Sequence, residues 1–486
     1  MSKIDRDPRS AASSDYDAIV VGGGVHGCMA LLQGALAGHR LLLLERDDFG
    51  GATSFNSLRI IHGGLRYLQT LDLPRFFESV GERRWLLRTY PDLIKPLPCL
   101  MPLYNEGLKR GSVMRVALAL NDLLSAHRNA GVRADRRLPR GRLIPPDGVR
   151  ALCPFVRPDN LAGGAVWHDA CAPDSHRVIM ETLRWAAACG GVALNYMEAG
   201  ELELDGDRVC AVQACDRIGG RMHRFRSSVV INAAGPWCDE VLRSFGQAES
   251  VADFSIAWNI LFDRAAPSDH AVALTPPGPG AQTYFMHPWK GRQLIGTGHR
   301  AWSGDAAGAK PADAFLDEFI ADVNAAAPGL KLARSDILHV FSGLLPAAGP
   351  QSTELTNRPG IVDHGAQGGP KGLFSMVGIK FTTARKTALQ MLQRCGLKTK
   401  RQHQAPAPPS GAAERCKTPV LADGKLTPGE LELVDSLTAS ESVCYLEDLV
   451  YRRLGLGHDP AAASRAIDLL CENLNSGPAL RRLDAV

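Results

Sequence analysis

The feature that most constrains this chain is a glycine-rich turn near its start, Gly22-Gly23-Gly24-Val25-His26-Gly27, which has the spacing G-x-G-x-x-G. A short apolar run, Asp17 to Val21, precedes it and reads as a buried strand; a helical stretch from about Val25 to Ala37 follows. Leu41 to Leu44 is a second buried strand, ending at Glu45, eighteen residues beyond Gly27. In a βαβ unit of this kind Gly22 allows the tight turn, Gly24 lets the backbone approach a pyrophosphate, and Gly27 lets the helix pack on the strand. The helix N-terminus offers free N–H groups and the positive end of its dipole to phosphates. Glu45 is placed to accept ribose hydroxyls. The segment is expected to hold a dinucleotide, and the fingerprint alone does not separate FAD from NAD. His26, inside the loop, is read as facing solvent or packing rather than as a ligand contact.

A chain of 486 residues has room for more than one domain or for one large domain with an insertion. Its formal charge of +4 is small for that length and gives no argument for nucleic acid. The twelve cysteines form no CxxC pair and no Cys/His spacing suited to zinc, so reduced, mostly buried thiols and no metal are expected. The first fourteen residues lack the apolar core of a signal peptide. No run reaches the roughly 18 apolar residues of a membrane span. A cytoplasmic protein is expected, with contact at the inner face of a membrane left open.

Further along, Asp72 to Leu87 reads as a helix with Phe76, Phe77, Val80 and Leu87 at helical spacing, and the prolines from Pro91 to Pro102 impose extended pieces. Val113 to Leu124 is amphipathic, with Lys109, Arg110 and Arg115 towards its start. The loop after it carries Arg128, Arg133, Arg136, Arg137, Arg140 and Arg142, read as a solvated face or, with the helix, as a patch resting on anionic lipid. Arg177 to Cys189 reads as a helix, and Asp205-Gly206-Asp207 as the turn of a hairpin. Phe254 to Thr297 is strand-rich, Phe315 to Ala325 helical, and Leu373 to Val377 a late buried strand followed by a helix from about Thr382 to Cys395. Beyond a Pro/Ala/Gly-rich linker, Thr427 to Leu437, Glu447 to Leu454 and Ala461 to Leu474 read as a small helical module.

Three segments separate FAD from NAD. Ala52-Thr53-Ser54-Phe55-Asn56-Ser57 is a small polar run whose hydroxyls and N–H groups suit phosphate or ribityl oxygens. Asn232-Ala233-Ala234-Gly235-Pro236-Trp237 ends a buried strand in small residues, as needed beside a flat cofactor. Gly378-Ile379-Lys380-Phe381-Thr382-Thr383 joins a strand to a helix whose N–H groups suit another electron-rich group.

Together with these segments, Ile61-His62-Gly63-Gly64-Leu65-Arg66-Tyr67-Leu68 resembles the signature of the FAD-dependent glycerol-3-phosphate dehydrogenase family, within the D-amino-acid-oxidase-like flavoproteins. Glu82-Arg83, Pro91, Pro98, Asn232 to Trp237 and Lys380 to Lys386 follow in family-like order, and Tyr445 to Arg453 resembles the family's C-terminal helical cap in shortened form. The resemblance implies an α/β fold with a Rossmann-like FAD-binding domain of discontinuous segments, an α+β substrate domain with an antiparallel sheet, and that cap. The corresponding ranges are an oxidoreductase region over 15–403, with FAD-binding segments at about 15–75, 150–240 and 340–400 and substrate segments at about 76–149 and 241–339. A linker over 404–413 and a cap over 414–486 complete the chain. The implied reaction is oxidation of glycerol 3-phosphate to dihydroxyacetone phosphate by hydride transfer to flavin N5, with electrons passed to quinone and FAD held non-covalently.

Such chemistry needs a base near the hydroxyl and positive groups near the developing oxyanion and the phosphate. His62, Arg66, Tyr67 and Lys380 are of those types, and the resemblance puts the first three on the substrate side and Lys380 near the flavin. His62 is the candidate base, since histidine titrates near neutrality. Gly22, Gly24, Gly27, Glu45, Thr53, Ser54, Gly63, Gly64, Ala234, Gly235, Trp237, Gly378, Lys380 and Thr382 are the expected cofactor contacts. The chain departs from the family at Ser342-Gly343-Leu344-Leu345-Pro346, where leucine stands in place of an arginine that contacts substrate phosphate. Leucine cannot donate a forked pair of hydrogen bonds. Arg300 and Arg358 are candidates to supply the missing charge. The departure leaves open a flavin-dependent oxidoreductase of a different hydroxy or amino substrate, and a binding protein that keeps a structural flavin is a further alternative.

Overall fold

The computed structural model describes residues 3–105, 110–278, 280–417 and 426–473. Lys109 and the end of the expected Ala461–Leu474 helix lie outside them. The apolar runs Ala18–Val21 and Leu41–Leu44 are wholly buried and lie side by side in a six-stranded sheet. Its order is Gly360–Asp363, Leu373–Val377, Val230–Asn232, Ala18–Val21, Leu41–Leu44, Val192–Leu194, parallel throughout except at the Gly360–Asp363 edge. Continuous apolar runs are what a parallel sheet covered on both faces requires. Successive side chains alternate between the faces. Ala18, Val20, Leu41 and Leu43 join one core with the helices Val25–Leu36, Ser175–Ala188 and Ala384–Arg394. Ile19, Val21, Leu42 and Leu44 join a second core beneath a four-stranded sheet, which includes the hairpin Met197–Asp205 and Arg208–Asp216. Gly206 makes that turn with φ +61°.

The third sheet has nine strands, ordered Ile337–Pro346, Phe254–Ala265, Arg292–Trp302, Tyr284–Trp289, Ala271–Leu274, Lys95–Leu103, Gly163–Cys171 and Ile60–Ile61, with Arg142–Ile144 beside Gly163–Cys171. All its pairs are antiparallel but Ala271–Leu274 against Lys95–Leu103. One face packs on the helix Asp313–Ala326 through Trp258, Ile260, Phe319 and Val323. Three strands of this sheet come from the expected cofactor-binding ranges. Ile60–Ile61 and Gly163–Cys171 fall within those ranges and Ile337–Pro346 overlaps one, and all three are strands of this second large sheet. The chain crosses between the sheets more often than the motifs indicated, because strand pairing over long sequence separations leaves no local mark.

The expected helix after Asp72 runs Leu73–Thr89, with the Asp72 carboxylate accepting from Arg75 N at 3.1 Å. The amphipathic helix runs Gly111–Leu124 and leaves Val116 and Leu123 exposed. The arginines after it are not a uniformly solvated face. Arg128 is buried and pairs with Asp122 at 3.1 Å, and Arg133 bridges Asp92 and Asp135. The twelve cysteines are free, and Cys471 alone is exposed. Residues 404–411 have no regular structure but are fastened to the body, with Trp185 Nε1 donating to Pro406 O at 2.8 Å. The C-terminal unit comprises Pro428–Ser440, the wide turn Asp448–Arg453 and Pro460–Asn473 around its own apolar core. Thr427 and Glu430 form a capping box at its first helix.

Candidate functional site

A cavity of about 810 Å³ runs from the glycine loop to His62, walled by loops from both large sheets and from the C-terminal unit. At the glycine-loop end the fit is one of backbone against backbone. Gly22 has φ +109°, and a Cβ there would meet Ala233 O at 2.6 Å. A Cβ on Gly27 would meet Gly22 O at 2.0 Å, so the helix Val25–Leu36 lies flush on the turn. Gly22, Gly24, Glu45, Thr53, Ser54, Ala234, Gly235, Trp237, Gly378, Lys380 and Thr382 all line the cavity. Gly27, Gly63 and Gly64 are not among the residues that line it.

The polar groups at this end hold one another. Glu45 accepts from Gly23 N at 2.5 Å and Asp47 N at 2.8 Å. Burial raises its carboxyl above the usual range, against those two N–H groups. Ser54 Oγ accepts from Val25 N at 3.0 Å at the start of the helix. Thr53 Oγ1 donates to Leu344 O at 3.3 Å and Asn56 Nδ2 to Ser342 O at 2.7 Å, tying the small polar run to the nine-stranded sheet. His26 is half-buried and packs at the loop, and its buried Nε2 has no partner. Its ring lies where a Cβ on Gly378 would be, at 1.8 Å, so this contact requires glycine at Gly378. Burial pushes the His26 imidazole down to about 4. The glycine cradle, the helix N-terminus and this orphaned ring nitrogen at the cavity wall fit a bound dinucleotide. Glu45, Ser54 and the backbone of Gly22 and Gly24 would hold its ADP half, and Lys380 and Thr382 would adjoin the ring system.

At the other end His62 lines the cavity with its side chain half exposed, its Nδ1 3.5 Å from Asp169 Oδ2. Asp169 is buried on the strand Gly163–Cys171 and accepts from Gly63 N at 2.7 Å, Arg83 Nη1 at 2.5 Å and Trp167 Nε1 at 3.4 Å. Burial alone would raise its carboxyl; His62, Arg83 and the Gly63 N–H outweigh that and hold it at about 2. A Cβ on Gly63 would meet the Arg83 guanidinium at 1.9 Å, and Gly64 turns the chain with φ +89°. These two glycines admit the arginine and shape the bend. Sequence reasoning missed Asp169, since no motif surrounds it.

Lys380 lines the cavity; Arg66 and Tyr67 stand behind it. The Lys380 ammonium reaches the Tyr67 hydroxyl, which also receives Arg66 Nη2 at 3.4 Å. Burial, aided by the Arg66 charge, lowers the Lys380 ammonium to about 8. Neither cation makes an ion pair among the described residues, so both retain charge for a ligand. Arg59, also missed, lines the cavity within a box of Phe55, Trp289 and Phe341, 4.7 to 5.3 Å from the ring centres. Burial lowers its guanidinium to about 10. Leu345 faces the same cavity. The two arginines proposed to replace its charge do not. Arg300 is turned to Glu318 at 2.5 Å, and Arg358 is exposed beside Asp72.

The family model for the FAD dependent oxidoreductases (DAO) matches residues 17–385. The chain is 32% identical to a glycerol-3-phosphate dehydrogenase of Synechocystis over 81% of its own length and 71% of that protein's. It is 31% identical to glycerol-3-phosphate dehydrogenase 2 of Mycobacterium tuberculosis, over 77% of this chain and 62% of that one. The chain therefore spans about two thirds of the length of these relatives. Among solved structures it resembles the FAD-bound glycerol-3-phosphate dehydrogenase of Bacillus halodurans, with a TM-score of 0.69, 20% identity, and coverage of 98% of this chain and 97% of that one. It also resembles the FAD-bound L-alpha-glycerophosphate oxidase of Mycoplasma pneumoniae, with a TM-score of 0.57, 14% identity, and coverage of 82% and 98%. These two likenesses concern the fold. On the sequence match, the chain belongs to the FAD-dependent glycerol-3-phosphate dehydrogenase family.

Proposed function

We propose that this chain oxidises the secondary alcohol of glycerol 3-phosphate, or a closely related polyol phosphate, to the ketone. The observation that carries the reading is a histidine braced by a buried carboxylate in the same cavity wall as a lysine that has no ion-pair partner among the described residues. His62 takes the hydroxyl proton through the ring nitrogen not turned to Asp169. FAD, when bound, supplies the acceptor for the hydride. Lys380 stabilises negative charge developing on the substrate oxygen, and Arg66 adds positive potential from behind Tyr67. The names of the sequence relatives support the substrate class. Anaerobic addition of glycerol 3-phosphate is expected to bleach the flavin absorption band; no bleaching at millimolar substrate overturns the reading.

The electrons then pass to quinone at a membrane surface. Leu71, Phe77, Val116 and Leu123 are exposed, and the elements that carry them share an apolar cluster with Tyr67. No helix among the described residues is long and apolar enough to cross a membrane. This face would therefore rest on the bilayer. Co-flotation with anionic vesicles, lost in Val116→Glu/Leu123→Glu, is the expected result.

Leu345 favours a second reading, a neutral or carboxylated hydroxy compound or an amine, because the cavity lacks a forked donor there. Leu345→Arg separates the two. Tighter binding of the phosphate by about tenfold fits one charge-assisted hydrogen bond to a phosphorylated substrate. No change in its KM favours the alternative.

A further inference from the structure

The C-terminal unit meets the body through a buried network of charges. Asp48, fully buried, receives Arg453 through both terminal nitrogens, Arg452 Nε at 2.5 Å and Asn195 Nδ2 at 3.1 Å. Asp448 accepts from Tyr196 Oη at 2.5 Å and from Arg452 Nη2 at 2.7 Å. Glu441, also fully buried, accepts from Arg177 at 2.5 Å and Arg184 at 3.5 Å, while Glu181 holds Arg415 through two bonds of 2.7 Å. Buried charges are tolerated only when paired, and here five arginines meet four carboxylates. Burial and the neighbouring Asp48 raise the Asp448 carboxyl.

That surplus stands at the cavity. Asp48 follows Glu45 on the loop over 45–51, and Gly50 N donates to Gly23 O at 3.0 Å, so one loop is gripped by the glycine turn and by the C-terminal unit. Arg452 lines the cavity beside Gly50 and Gly51. Its Nε and Nη2 are taken by carboxylates. Its Nη1 lies 3.7 Å from where a Cβ on Gly51 would sit.

We infer that the C-terminal unit is a working part of the cofactor site: Arg452 donates from Nη1 to the pyrophosphate–ribose half of FAD, and cofactor binding is coupled to seating of that unit on the body. The anion offsets the extra guanidinium, and Arg452 spans the joint. Linkage then makes the effect reciprocal: FAD tightens the seating, and loss of Arg452 weakens FAD. The inference rests on FAD use and adds the element that completes the site.

The test is FAD titration of the apoprotein for the parent, Arg452→Met and Arg452→Lys, with hydrogen exchange over 428–473 in the apo and FAD-bound parent. Loss of one charge-assisted hydrogen bond corresponds to roughly 10- to 150-fold weaker FAD binding in Arg452→Met, with lysine restoring part of it. FAD is expected to slow exchange across 428–473. A dissociation constant for Arg452→Met within twofold of the parent overturns the inference. Should that variant not fold, exchange over 428–473 that is the same with and without FAD overturns it. A parent that takes up no FAD at all would instead overturn the cofactor assignment along with it.

Discussion

The two ends of the cavity are built on opposite principles. At the glycine loop most polar groups are paired within the protein, His26 Nε2 and Arg452 Nη1 apart: Glu45 with Gly23 and Asp47, Ser54 with Val25, Asp48 with Arg452 and Arg453. The remaining fit is backbone contact that admits no side chain at Gly22 or Gly27. At the other end, among the described residues, Lys380, Arg66 and Arg59 make no ion pair, while His62 is braced through Asp169. A site for a fixed cofactor is served by shape and by polar groups already oriented within the protein. A site where charge develops during a reaction needs unspent charge held ready.

Substitutions at the reactive end should therefore change rates and leave FAD in place. His62→Ala is expected to slow anaerobic flavin reduction by about 10² to 10⁴, the usual range for a general base, with cofactor content unchanged; loss of FAD instead would place His62 in cofactor binding. Asp169→Asn should be felt in stability as well, because Arg83 is then left buried without its carboxylate. A loss of about 3–5 kcal/mol is expected by denaturant unfolding. The Asp169 carboxyl is lowered from 3.8 to about 2, so the parent loses this contribution as pH falls from about 4 towards 2. In Asp169→Asn that part of the acid limb should flatten in a plot of Tm against pH.

Lys380→Met should lower kcat and kcat/KM together by about 10- to 100-fold, the weight of a hydrogen bond to a charge that develops only in the transition state. Since the folded Lys380 titrates near 8, its cation is present below that pH and lost above it, and kcat/KM should fall through that region in the parent but not in the variant. Gly27→Val tests the other end. Overpacking of roughly 1–3 kcal/mol at the helix–turn contact should weaken FAD while the reduction rate of the loaded enzyme is kept. A fall in that rate instead would show that the two ends are not independent.

Much of the cofactor end was legible in the sequence because its signals are local. Each glycine of the loop answers to a strand and helix within a few residues, and Glu45 closes the second strand. Gly63 and Gly64 were less legible, because a glycine marks a close approach without naming what approaches. Here it is the Arg83 guanidinium and a bend of the chain. Arg300 is plausible as an isolated charge until Glu318 is seen to hold it, and Arg358 until it is found exposed on the surface. Asp169 and Arg59 were unreadable in advance, since a buried carboxylate and a boxed guanidinium carry no pattern in one dimension.

The order of residues determined the βαβ unit, the dinucleotide fingerprint, the hairpin and the helices, since these depend on periodicity and on glycine at fixed offsets. The tertiary structure alone decided which charges remain unpaired in the cavity, which carboxylate holds His62, and that Arg452 reaches the site from the far end of the chain. Those outcomes are set by contacts over separations such as the 404 residues between Asp48 and Arg452. Coulombic and hydrogen-bond energies depend on distance in space, and distance along the chain does not report it.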